Sequence, residues 1–226
     1  MKKCIHSVPE NIRLAFFDLD ETLTSRDTDL LWAQWRSRRS LKGLLDLWRL
    51  RKINRLYYKH SLTDIEYGAY HLARARSMTV QQYHNLAQAF ALFVSKKYIY
   101  REMKDLLEEN KQKGISNVLI TAQDAVIAAA LQKVLGLEDC LASDYCVDGN
   151  AFTAMRQPLC FKEGKVHWAG LYLKQKSLSW DQCAFYTDSL NDLPLLEACA
   201  CPVAVHPGPE LESLSRERCW CILKPV

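Results

Sequence analysis

Two aspartates stand two residues apart in Phe16-Phe17-Asp18-Leu19-Asp20-Glu21-Thr22, directly after an apolar run. An apolar strand that ends in acids sets carboxylates where a cation or a phosphoryl group can sit. One carboxylate can attack phosphorus as a nucleophile. The other can protonate a leaving oxygen and then activate water. An acidic loop of no function has the same composition, so the pair gains meaning only from what accompanies it. Thr121 follows Val118-Leu119-Ile120, and a hydroxyl there can bond a phosphate oxygen beside the N-terminus of the next helix. Thr187-Asp188-Ser189-Leu190-Asn191-Asp192 brings a second acidic loop after an apolar run. Magnesium takes oxygen ligands from one or two carboxylates, with phosphate and water completing the set. Asp188 fits that role, and Asn191 or Asp192 supports it, caps a helix, or does both. Lys165, with Lys162 as a nearby competitor, would neutralise the nucleophile and the transferring phosphoryl group.

These residues need elements to hold them. Residues 12–20, Ile115–Ala122, Cys183–Thr187 and Pro202–Val205 read as strands, each a short apolar run of the kind buried on both faces of a parallel sheet. Helices are expected over 98–113, over 124–135 with Gly136 as its stop, and over 192–200 with Pro194 in the first turn. Alternating strands and helices make an α/β fold, in which ligands sit beyond the carboxyl ends of the strands. Asp18, Asp20, Thr121 and Asp188 all fall at such ends. Residues 24–97 contain no buried strand. Leu41, Leu44, Leu45, Trp48, Leu50, Ile53 and Tyr57 recur at helical spacing there, with further helices over 63–76 and 79–95. Val147-Asp148-Gly149-Asn150-Ala151 is a hairpin signal.

Taken together, the segments resemble the haloacid dehalogenase (HAD) superfamily. Asp18-Leu-Asp20-Glu-Thr22 is similar to its first motif, Thr121 to its second, Lys165 to its third, and Asp188-Ser-Leu-Asn191-Asp192 to its fourth. Thr187 departs from the glycine frequent before the fourth motif. A helical insertion between the first two motifs is similar to the subgroup of phosphoserine phosphatases. The resemblance implies a Rossmann-like parallel-sheet core from residues 1–23 and 98–226, with residues 24–97 as an inserted helical cap. It implies that Asp18 becomes an aspartyl-phosphate. Asp20 would serve as acid and then base. Mg²⁺ would be bound by Asp18, the Asp20 carbonyl and Asp188, and the phosphoryl oxygens would be held by Thr121 and Lys165. Thr22, Asn191 and Asp192 would play supporting parts. The second acid of the first motif points to phosphomonoester chemistry, since dehalogenation needs no such proton donor.

The chain of 226 residues is long enough for one large domain or a core with an insertion, and its formal net charge is +4. No apolar run is long enough to span a bilayer and no signal-peptide h-region is seen, so a cytoplasmic location is expected. Nine cysteines stand at 4, 140, 146, 160, 183, 199, 201, 219 and 221. The pairs Cys199/Cys201 and Cys219/Cys221 are closer than the usual zinc spacing, and on a strand they would share one core face. Residues 30–62 hold nine Lys or Arg against the single acid Asp46, a net +8, with Trp32, Trp35 and Trp48. The segment reads as a solvated face with its tryptophans packed inward, as a membrane-surface helix, or as a patch gripping substrate. No nucleic-acid-binding module is recognised. The expected substrate is a small phosphorylated metabolite such as phosphoserine or histidinol phosphate. A lipid phosphate of the phosphatidylglycerophosphate type is a second reading, and a non-catalytic binding protein a third.

Overall fold

A computed structural model describes residues 8–58 and 62–226. Its centre is β1 (Leu14–Phe17), four residues buried on both faces. Alternation along the strand divides them. Ala15 and Phe17 join one apolar cluster, Leu14 and Phe16 another. β1 pairs in parallel with β2 (Ser116–Asp124) on one side and β6 (Cys183–Thr187) on the other. With β3 (Asp139–Ser143), β7 (Cys201–Val205) and β8 (Cys221–Leu223) they form a sheet of order β3-β2-β1-β6-β7-β8, parallel throughout. The first strand is shorter than the run 12–20, because the chain leaves the sheet at Asp18.

Helices cover both faces, as burial of parallel strands requires. The first face takes α5 (Arg101–Gln112) and α6 (Ala125–Leu135); Gly136 ends α6 in a left-handed conformation at φ 69°. The second face takes α7 (Glu163–Lys176), α8 (Leu193–Ala198) and α9 (Pro209–Glu217). β4 (Tyr145–Asp148) and β5 (Ala151–Met155) form the antiparallel hairpin expected around Asp148-Gly149. The fold is therefore Rossmann-like α/β.

Between β1 and α5 lie α1 (Thr28–Ser37), α2 (Leu41–Tyr58), α3 (Asp64–Ala75) and α4 (Val80–Lys97). Thr63 and Thr79 start α3 and α4 with reciprocal capping boxes to Glu66 and Gln82. The two ends of the stretch are stitched together: Thr24 bridges Ile99, and the Tyr100 amide donates to the Leu23 carbonyl at 3.1 Å. These helices share their core with the sheet. Trp32, Trp35, Tyr83 and Phe90 belong to the same cluster as Phe17, Leu119 and Ile127. Trp32 meets Phe90 edge-to-face at 5.1 Å and Tyr83 at 5.5 Å, an arrangement aromatic rings favour.

The two Cys-x-Cys pairs do not lie on single strand faces. Cys199 ends α8 and Cys201 begins β7, while Cys219 is exposed at φ 56° two residues before Cys221 opens β8. Each pair spans a turn into a strand. Cys4 falls outside the described residues.

Candidate active site

The carboxyl ends of β1, β2 and β6 open into one cleft of about 620 Å³. Asp18, Asp20, Thr121, Lys165, Asp188, Asn191 and Asp192 all line it. Asp18 is fixed by its own backbone, its amide donating to Tyr186 of β6 at 2.9 Å. Leu19 is fully buried and turns the intervening residue away from solvent. Glu21 then adopts φ 53°, a left-handed conformation that a residue with a Cβ seldom takes. The turn brings Thr22 under Asp188. The Thr22 hydroxyl donates to Asp188 Oδ1 at 3.2 Å and accepts from the Asp188 amide at 2.9 Å.

Lys165 reaches this point from the third residue of α7, an element the sequence reading did not identify. Its ammonium is 2 % exposed and donates to Asp18 Oδ1 at 2.8 Å and Asp192 Oδ2 at 2.7 Å. Burial pulls this ammonium down, and Asp18 and Asp192 more than offset that, so it is held above the ordinary lysine value. Its neighbour Gly164 explains how the helix can start so close to the chain before it. A Cβ there would stand 1.8 Å from the Leu159 carbonyl oxygen. Lys162, the competitor, points elsewhere and donates to the Leu62 carbonyl at 3.3 Å.

The fourth segment resolves its two candidates. Asp192 stands at the head of α8 without a side-chain capping bond, and holds Lys165 instead. Thr187, where the family often has glycine, donates its hydroxyl to the same Asp192 Oδ2 at 2.7 Å. The larger residue is therefore used. Asn191 reaches only Ser189, at 3.4 Å.

The acids outnumber the cation. Burial raises the Asp18 pKa to about 6 against the pull of Lys165, with Asp192 adding to the rise. Burial, then Asp27 and Asp18, push Asp20 well above the carboxylate range. Burial, then Asp18 and Glu21, do the same to Asp188. Of these three crowded carboxyls only Asp18 meets Lys165, and oxygen donors so placed suit a hard divalent cation, which would relieve their repulsion. Among the described residues no three acidic, histidine or cysteine side chains already converge on one metal position; the set expected from the sequence, Asp18, Asp188 and the Asp20 carbonyl, needs only two carboxylates and a backbone oxygen.

Residues the sequence reading passed over complete the site. Asp20 Oδ1 accepts from the Thr28 amide at 2.6 Å. Asp27 caps α1, accepting from the Leu30 amide at 2.7 Å. Behind them Arg74 of α3 is wholly buried. It bonds Asp29 and Asp124, and donates to Gln123 Oε1 at 2.8 Å. The backbone N–H of Gln123 donates to Thr121 Oγ1 at 3.1 Å. Arg74 draws Asp29 below its ordinary pKa in spite of burial, while burial lowers His71 beside it to about 4. Of these, Asp27 and Asp124 stand at helix N-caps, a signal readable in the sequence. Arg74 is one cation among thirty.

The geometry agrees with comparison to known proteins. The haloacid dehalogenase-like hydrolase family matches residues 15–197. A histidinol-phosphatase from Neisseria meningitidis serogroup C is 27 % identical over 219 residues, spanning 93 % of this chain and 97 % of that protein. A Bordetella pertussis protein of unknown function has a solved structure with a TM-score of 0.85 and 26 % identity, covering 94 % of this chain and 98 % of that one. A phospho-aspartyl intermediate analogue of phosphoserine phosphatase shares the fold at a TM-score of 0.64 and 16 % identity, over 95 % and 94 % of the two chains. With the motif residues gathered at the strand ends and most of its length matched, the chain belongs to the haloacid dehalogenase-like hydrolase family.

Proposed function

We propose that this phosphatase hydrolyses small phosphate monoesters through a phosphoaspartate on Asp18, with Mg²⁺ as cofactor, and that histidinol phosphate is the first substrate to test. The observation that carries the reading is the contact of Lys165 with Asp18, inside a cleft that also holds Asp20, Thr121 and Asp188. Asp18 attacks phosphorus in line with the leaving alkoxide, and the P–O bond to the alcohol breaks as the Asp18–phosphorus bond forms. Asp20 gives its proton to that alkoxide. Burial, then Asp27 and Asp18, raise its pKa and so favour the protonated form that an acid needs. Asp20, now charged, takes a proton from water, which attacks the phosphoaspartate, and phosphate and free Asp18 result. Lys165 and Thr121 hold phosphoryl oxygens throughout. Asp18, the Asp20 carbonyl and Asp188 would hold Mg²⁺, which would supply positive charge against the phosphoryl oxygens.

We take residues 24–97 as the cap that shapes the far wall. Asp27, Asp29 and Tyr67 line the cleft there, with Phe161 beside them from the segment before α7. Asp29 is already paired with Arg74, so Asp27, with aromatic rings in the same cleft, is the wall carboxyl left for a substrate that carries an amine or an imidazole, which agrees with the name of the Neisseria relative. The deciding experiment is phosphate release from histidinol phosphate, phosphoserine and a lipid phosphate in detergent, with Mg²⁺ and with chelator. Magnesium-dependent release from histidinol phosphate supports the whole reading. Release from the lipid alone transfers the assignment to a lipid phosphatase. Silence from folded, metal-loaded protein favours a binding protein instead.

A further inference from the structure

Trp32 and Trp35 are packed inward, but Trp48 is 68 % exposed. Its neighbours on α2, Leu44 and Leu45, are 52 % and 54 % exposed. Helical geometry places these three with Arg51, Lys52 and Arg55, all exposed, in one sector roughly 120° wide at 100° per residue. The opposite sector carries Gly43, Asp46, Leu50 and Ile53, all buried. Leu50 and Ile53 pack on Tyr67, Tyr70 and Phe161. The helix therefore has one side anchored in the protein and one side, apolar and then cationic, turned outward.

Charge on the outward side is of one sign. Asp46, the single acid of residues 30–62, is buried and paired with Arg36 at 3.2 Å. Arg38 and Arg39 are exposed just before α2, so cations flank the apolar group at both ends. A merely solvated helix mixes signs along its surface, as α5 does with Arg101, Glu102, Lys104 and Asp105. Three large apolar side chains between clusters of arginine and lysine are the arrangement of a helix that lies in the plane of a charged interface. Tryptophan prefers that depth, and its basic neighbours meet anionic headgroups. No helix among the described residues is long and apolar enough to cross a membrane, so the contact is with the surface.

We propose that the outer face of α2 docks the protein on an anionic phospholipid surface, with Leu44, Leu45 and Trp48 entering the headgroup region and Arg51, Lys52 and Arg55 meeting its charge. An acidic protein partner would use the cations but has less need of a protruding apolar group. The proposal does not depend on which phosphate ester the cleft accepts.

The test is co-sedimentation of the full chain with phosphatidylcholine vesicles, with and without phosphatidylglycerol, at low and high salt. Binding is expected to the anionic vesicles at low salt and to fall as salt rises. Each basic residue at such a surface strengthens binding roughly fivefold, so Arg51→Ser/Lys52→Ser/Arg55→Ser weakens it roughly a hundredfold. Leu44→Ser/Leu45→Ser/Trp48→Ser weakens it at least about tenfold, from the apolar area withdrawn. Both variants alter exposed positions, and unchanged thermal unfolding midpoints verify that they fold. Absence of sedimentation at low salt overturns the proposal. So does equal binding to neutral vesicles. Full retention by the Leu44/Leu45/Trp48 variant also overturns it, because binding would then rest on charge alone and not on entry of these side chains into the headgroup region.

Discussion

The Thr28 amide donates to Asp20 Oδ1 at 2.6 Å, which ties the proposed proton donor to the first turn of α1. The link continues. Thr28 Oγ1 accepts from Gln123 Nε2 at 2.8 Å, and the Gln123 backbone N–H donates to Thr121 Oγ1. Asp20, just past β1, and Thr121, on β2, are thus linked through Thr28 of α1 and Gln123, each of which bonds one of them through its backbone N–H. A charge-neutral change at Asp20 leaves this link standing, because an asparagine oxygen accepts the same bond.

Asp18→Asn and Asp20→Asn are therefore separable by leaving group. Asp18→Asn removes the nucleophile and abolishes turnover of every ester. Asp20→Asn removes the proton and lowers kcat for an alkyl phosphate by about 10²–10⁴-fold. A nitrophenyl phosphate, whose leaving group needs no proton, loses far less in its first step. Burst-phase release of nitrophenol from the Asp20 variant checks this. Equal losses for both esters would remove Asp20 from the role of acid.

Gly164→Ala tests how Lys165 is delivered. The added Cβ meets a backbone carbonyl at 1.8 Å, and no rotamer relieves a backbone clash. The start of α7 must shift, and Lys165 moves with it off Asp18 and Asp192. A misplacement of about 1 Å in such a site costs about a hundredfold in rate. The expected result is a fall in kcat at least that large, along with a lower unfolding midpoint. A variant with wild-type kcat would show that α7 has another way to seat the lysine.

These relationships set the limit of what was legible beforehand. β1, β2, β6 and β7 were readable because strands buried on both faces appear as unbroken apolar runs. Their acids and Thr121 were readable as the ends of those runs. α7 was not, because its apolar residues, Val166, Trp168, Leu171, Tyr172 and Leu173, are spread around the helix and not on one face, with Leu171 half exposed and Leu173 buried. β8 has three partly exposed residues at the sheet edge, too few to show a period. Arg74, Gln123 and Asp29 are far apart in the chain and meet only through the insertion, so no local pattern announces them. The tryptophans were counted as one group, although helical phase splits them between core and surface.

Asp27 gives a pH dependence of stability. Burial, then Asp29, raises its pKa to about 7, above the ordinary value of about 4 for an unfolded aspartate. The native state therefore holds this proton more tightly than the unfolded chain. Its contribution favours folding below pH ~4 and is lost as pH rises through ~7. Asp27→Asn keeps the cap to the Leu30 amide and removes the titration. The unfolding midpoint of the variant should gain on the parent above pH ~7 and not below pH ~4. A constant difference at all pH values would mean that Asp27 ionises normally in the folded protein.

Arg74 joins α3 to the segment that follows Thr121, and its removal should be felt in both stability and rate. Arg74→Met fills similar volume but leaves Asp29 and Asp124 buried without their cation. Breaking one side of a buried ion pair costs about 3–5 kcal/mol, and urea unfolding reads that loss directly. Gln123 Oε1 loses Arg74 as a donor at the same time and keeps only the Asp124 amide among the described residues, so the residue whose backbone N–H bonds Thr121 Oγ1 is less firmly placed. We expect kcat/KM among the folded molecules to fall as well. Adding Asp29→Asn to Arg74→Met removes one stranded charge and restores part of the stability. It does not restore the Arg74–Gln123 bond, so kcat/KM stays low in the double variant. Recovery of rate in step with stability would show instead that Arg74 serves only to neutralise its carboxylates and has no part in positioning Thr121.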